Sequence, residues 1–212
     1  MEWYKWIAVV AFLICVLTFL FQFFKLIKIG TPKDLSKKEG DIGGAVVYSF
    51  VNAMAPGQKE SAYLHLPTYA AGIIYHIGTF ATLFLFILFT VFSMLSIVIP
   101  ANASSIISAA LLFTSLSGFS ILGKRFLNKE LRSLSGLDDY ISNILTSMAQ
   151  LTTAAYLLFP SMEIIYYITM ALLFIWMPIG KTKHLLYFFF ARFHLGFFYG
   201  WRGTWPQKTG QK

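Results

Sequence analysis

The residues of this 212-residue chain best suited to chemistry are its four histidines, His65, His76, His184 and His194. They form two groups, each at the end of a hydrophobic segment. His76 stands inside an apolar stretch running from Leu64 to Val98 that contains no carboxylate to pair with it. A histidine carried into a hydrophobic span must face protein polar groups or bind something, and iron in a porphyrin is a common answer. The pattern points to haem, and haem in a membrane points to electron exchange with quinone. The single cysteine, Cys15, lies in the first apolar run, and neither C-x-x-C nor C-x-x-C-H occurs. A haem here would therefore be held noncovalently, as b-type, and any water-soluble iron–sulfur centre would belong to another subunit.

The composition says what must position these side chains. The chain is 57% hydrophobic and 12% charged, with a mean hydropathy of +0.67, so its solvent is lipid. The net charge of +8 does not indicate nucleic acid, because the basic residues flank hydrophobic spans instead of forming one patch.

Five membrane-spanning helices are expected. The first covers Trp3 to Phe24, with Trp3, Tyr4 and Trp6 at an interface and Lys25 and Lys28 ending it. Its apolar core is too long for a signal peptide, and no small-residue cleavage site follows. Residues 25–62 form a basic, glycine-broken loop. Within it Ala45 to Met54 is apolar enough for a short interfacial helix, although a solvated loop is the simpler expectation. Helix two runs from about Pro67 to Val98. After Pro100 and Asn102, helix three covers about Ser104 to Leu122, where Ser115, Ser117 and Gly118 allow close approach. A polar loop over 123–140 supplies Asp138 or Asp139 to cap helix four, about Ile141 to Phe159. Helix five follows Pro160 and Ser161, runs from about Met162 to at least Met177, and continues past Pro178 with a kink toward His184.

The segment from Leu185 to Trp205 is aromatic, interrupted by Gly196, Gly200 and Gly203, and carries Arg192 and Arg202. It reads as an interfacial tail and not as a sixth span. The expected fold is an all-α polytopic membrane helix bundle, with a five-helix domain over 1–184 and a cytoplasmic aromatic tail over 185–212. Of the 17 Lys and Arg residues, 16 fall in the first loop, the third loop and the segment from Lys181 onward; only Lys5 does not. The positive-inside rule then puts the N-terminus outside and the C-terminus in the cytoplasm of a multi-pass cell-membrane protein.

In that topology His76 lies nine residues into helix two, about 13 Å from its cytoplasmic start. His184 lies at the cytoplasmic end of helix five, so the two can approach one iron from opposite sides. Two imidazoles fill both axial positions, which suits electron transfer over oxygen chemistry. The alternative is that either is a hydrogen-bonded packing histidine. His65, 11 residues before His76, and His194, 10 after His184, allow a second haem, or stand at the interface against a partner or a haem propionate. Lys181, Lys183 and Arg192 are placed to pair with propionates or serve as topology signals. Gly72 and Gly78 flank His76, where glycine lets a flat macrocycle approach or lets helices pack.

The plan and three motifs resemble a known family. Tyr75-His-Ile-Gly78, Pro178-Ile-Gly-Lys-Thr-Lys-His184 and the loop Arg125…Leu131-Arg-Ser-Leu-Ser…Asp138-Asp-Tyr140 are similar to the gamma subunit of respiratory nitrate reductase. They are still more similar to the related cytochrome b subunits of heterodisulfide-reductase-like and sulfite-reduction-associated complexes. The resemblance covers roughly residues 1 to 190. It implies haem b between helices two and five, with His76 and His184 matching the ligands of the haem nearer the cytoplasm. It also implies a quinone such as menaquinone as exchangeable substrate and a cytoplasmic iron–sulfur partner subunit. Where the nitrate enzyme holds a second, outer haem, the matching positions here are Phe86 and Tyr166, so that resemblance implies one haem more readily than two. Quinone would then bind elsewhere, with Tyr75, Tyr166, Tyr167 and Glu163 as candidates for hydrogen bonding or proton exchange. The competing expectation is a haem-free membrane anchor or transporter component whose histidines are structural or line a proton path.

Overall fold

The computed structural model of the chain describes residues 1–30, 34–58, 63–95 and 99–206. Lys33, Lys59, Lys208 and Lys212 of the charge count, and residues 96–98 at the expected end of helix two, lie outside the described residues.

All described elements are helical: α1 (Trp3–Ile29), α2 (Ile42–Phe50), α3 (Leu66–Leu95), α4 (Ala101–Leu127), α5 (Lys129–Ser133), α6 (Leu137–Leu158), α7 (Glu163–Trp176) and α8 (His184–Trp201). Short 3-10 turns precede α3, α7 and α8 and follow α2. Among the described residues three helices, α1, α4 and the Leu66–Thr90 part of α3, are long and apolar enough to cross a membrane, which makes the protein an all-helical membrane bundle. The helices α7 and α8 meet that measure only when counted together across 177–180. The 22 residues of α6 have the length, but buried Ser142, Thr146, Ser147, Gln150, Thr152 and Thr153 lower its apolarity.

The chain divides into two compact units, one of residues 1–18 and 67–182 and another of 19–66 and 183–212. In the first, α4 and α6 pack closely because their facing positions are small and polar. Ser108 Oγ donates to the Ala154 carbonyl at 2.9 Å and Ser115 Oγ to that of Ser147 at 3.0 Å. A Cβ on Gly78 would overlap Thr114 and Gln150, so this glycine serves the approach of α3 to those helices.

The end of helix five differs from expectation. The helix stops at Trp176, since Pro178 has no N–H to continue the ladder, and the N–H groups of Ile179 and Gly180 turn back to the Trp176 carbonyl at 3.0 and 2.8 Å. A Cβ on Gly180 would collide with the Trp176 indole. His184 therefore opens α8 and does not close helix five.

The second unit contains the other departure. Gly196 and Gly200 do not interrupt the aromatic segment: α8 runs through both, and they form the face against α2. A Cβ on Gly196 would stand 2.5 Å from Val46 Cα, and one on Gly200 2.6 Å from Ala45 Cβ. In place of a plain solvated loop, residues 34–58 hold a capped helix. Asp41 accepts from the N–H groups of Gly43 and Gly44 at 3.0 and 2.8 Å and starts α2. The chain before α2 is tied to the end of α8. Trp201 Nε1 donates to the Ser36 carbonyl at 2.8 Å, and Arg202 pairs with Asp34 at 2.5 Å while lying 3.7 Å over the Phe198 ring.

Candidate functional site

His76 is exposed on α3, and its Nδ1 lies 2.6 Å from the Gly72 carbonyl one turn earlier. A carbonyl oxygen only accepts, so Nδ1 carries a proton, and the tautomer this bond selects is the one whose lone pair is on Nε2. That is how iron-ligating histidines are commonly fixed, by a hydrogen bond at the other ring nitrogen. A Cβ on Gly72 would meet nothing within 4 Å. Of the two glycines near His76, Gly72 thus leaves space beside the backbone and Gly78 is used in packing.

His65, His184 and His194 belong to the second unit. His65 ends the 3-10 turn before α3 and is exposed. His184, also exposed, is the first residue of α8, after Lys183 at the helix cap. His194 is half-buried with its ring 5.6 Å from that of Phe193, and its Nδ1 is buried with no hydrogen-bond partner. Arg192 lies over the Phe188 ring at 5.7 Å and donates to the Met54 thioether.

Lys181 has a partner that the sequence did not suggest. Its Nζ is 2.7 Å from Asp139, and its backbone N–H donates to Asp138 at 2.9 Å. Arg125 stands 3.4 Å from Asp139 and donates to Ser135 at 3.2 Å. Trp176 Nε1 donates to Ser142 Oγ at 2.9 Å, and Ser142 in turn donates to Asp138 at 3.0 Å. The loop motif before α6 and the motif after α7 are therefore one junction. The Lys181 ammonium first, with the Gly136 N–H and Arg125, holds the Asp139 carboxyl below the usual carboxylate range against the opposing effect of burial.

Tyr75 belongs to the α3–α6 contact: its carbonyl accepts from Gln150 Nε2 at 3.2 Å. Phe86 and Tyr166 are both fully buried. The Phe86 ring is 4.7 Å from Phe174, and that of Tyr166 stacks on Tyr156 at 5.0 Å and meets Tyr167 at 4.8 Å. Glu163 does more than start α7. It accepts from the Tyr4 hydroxyl and from that of Tyr156 at 3.2 Å, and pairs with Lys5 at 2.7 Å. The Lys5–Glu163 pair had a signal in the sequence: Lys5 is the one cation outside the three basic segments, and Glu163 the only acid after Asp139.

Searches against family models, curated proteins and solved structures found no match for this chain.

Proposed function

We propose that the chain is a haem b membrane subunit passing electrons between the quinone pool and a cytoplasmic iron–sulfur partner. It is then the quinone-reactive part of a respiratory oxidoreductase and not a complete enzyme. The observation that carries this reading is His76, whose Nδ1 proton is committed to the Gly72 carbonyl at 2.6 Å, with open space over Gly72 on the same helix face. The residues fit a haem in that respect. His76 is one axial ligand, and His184 the other by resemblance to the nitrate reductase gamma subunit and its relatives. A bound haem supplies reversible one-electron transfer, while the protein fixes the imidazole's tautomer and orientation. His194, with its unpartnered buried Nδ1, is the first candidate for a second ligand set with His65. Lys183 and Arg192 are the cations for propionates, and Lys181 is already engaged by Asp139. The positive-inside count supports five spans, an external N-terminus and a cytoplasmic C-terminus in the cell membrane.

The test is to purify the chain with its native partners, quantify haem b per chain and record oxidised and reduced spectra for wild type and four variants. Loss of one haem in both His76→Ala and His184→Ala, with retention in His65→Ala and His194→Ala, supports the single-haem arrangement. A second haem lost in the latter two extends the path through His65 and His194. Wild-type protein without haem overturns the reading and promotes a haem-free anchor.

A further inference from the structure

Among its described residues the first unit buries four side-chain oxygens that have no hydrogen-bond partner: Thr82 Oγ1, Gln150 Oε1 and the hydroxyls of Tyr166 and Tyr167. Each of these residues is at most 1% exposed. Buried polar atoms are nearly always paired with protein or ordered water, so four orphans in one helical core require an account.

They follow an order along the helices. Gln150 Nε2 donates to Thr79 Oγ1 at 3.0 Å, and Thr82 is the next turn of α3. Two turns beyond Thr82, Phe89 meets Tyr166 with rings 5.8 Å apart. Tyr166 stacks on Tyr156, whose hydroxyl reaches Glu163. In the other direction along α6 lie Thr146 and then Ser142, which is bonded to Asp138. From Ser142 to Tyr156 the helix rises about 21 Å. Polar residues also glue membrane helices together, and Ser108 and Ser115 of α4 do so through bonds to backbone carbonyls of α6. That role does not account for oxygens with no partner at all.

We propose that these oxygens line a file of internal water in the first unit, which carries protons between the Asp138–Ser142 end and Glu163. Each proton taken up at one end is matched by one released at the other, through exchange of O–H bonds between water molecules and side-chain oxygens, and no electron moves. Glu163, bonded to Tyr4, Tyr156 and Lys5, is the ionisable terminus at one end, and Asp138 at the other. Polar and ionisable groups in a membrane core recur where protons are relayed.

The test uses full-length protein in vesicles containing a pH-sensitive dye, with a potassium diffusion potential imposed by valinomycin. Wild type is expected to admit protons several-fold faster than protein-free vesicles. Gln150→Leu and Thr82→Val should return the rate to the protein-free level, and Ser120→Ala, an exposed position on α4, should leave it unchanged. Thr82→Val is nearly isosteric, so it decides the matter if Gln150→Leu fails to fold. Wild-type flux no greater than that of protein-free vesicles overturns the proposal, as does wild-type flux in Thr82→Val. No redox step is read, so the outcome is separate from that of the haem measurement.

Discussion

Lys181 Nζ stands 2.7 Å from Asp139 Oδ2, an ion pair closing 42 residues of chain. Its consequence is mechanical. The start of α6 and the break after α7 are held together by one lysine that binds Asp139 through its side chain and Asp138 through its backbone. The two loop motifs thus share a structural role in this chain, whatever else they do.

Acid should weaken this junction. The folded-state pKa of Asp139 is depressed, so its stabilisation is fully present above the unfolded carboxylate pKa and is lost as pH falls through the lower folded value. Asp34 behaves in the same direction in the second unit, held down chiefly by Ser36 and also by Arg202. Thermal unfolding in detergent should therefore drop from neutral pH into the range below the usual carboxylate pKa. Asp139→Asn should lower the neutral-pH midpoint and flatten that dependence. An Asp139→Asn protein with the wild-type pH profile would remove Asp139 from the account.

The indole of Trp176 is a second strut in the same junction, donating to Ser142 at 2.9 Å. Trp176→Phe and Ser142→Ala each remove that bond. A double-mutant cycle should give a coupling of about 1 kcal/mol, the net worth of one such bond. Additive losses would show that the contact contributes nothing beyond packing.

The long helices were legible because an apolar run bounded by Pro67, Pro100 or Pro160 has one reading in a membrane. The expected helices over 67–98, 104–122 and 141–159 correspond to α3, α4 and α6. What was not legible depended on partners far away in sequence. Gly196 and Gly200 read as breakers because glycine is a poor helix former in isolation. Spaced by four residues, they share one face, and the backbone of α2 fills the space that side chains would take. Lys181 likewise read as a propionate or topology residue because Asp139 is 42 positions away. The histidines were legible as candidates, but only coordinates tie the Nδ1 of His76 to Gly72.

Helix α8 should be sensitive at its glycines. Gly196→Leu places a side chain where Val46 Cα already is, and overpacking of this kind costs about 1–3 kcal/mol or more. Limited proteolysis should then cut within residues 34–58, which α8 holds in place, while Gly123→Leu, with nothing within 4 Å of its Cβ position, should leave the pattern unchanged. Equal protection of the two variants would mean that the α2–α8 contact does not depend on this close approach.

The two glycines beside His76 should separate folding from haem binding. Gly78→Ala puts a methyl group into Thr114 and Gln150 and should destabilise the haem-free chain by about 1–3 kcal/mol. At Gly72 an added Cβ has nothing within 4 Å and leucine replaces a poor helix former, so thermal stability of Gly72→Leu without haem should hold or rise by up to about 1 kcal/mol. Yet the same leucine stands one turn from His76, on the face where a macrocycle bound through Nε2 would approach the backbone. Haem per chain should therefore fall several-fold in Gly72→Leu at unchanged helix content. Full haem occupancy in that variant would place the macrocycle off this face of α3, even if His76→Ala abolishes binding.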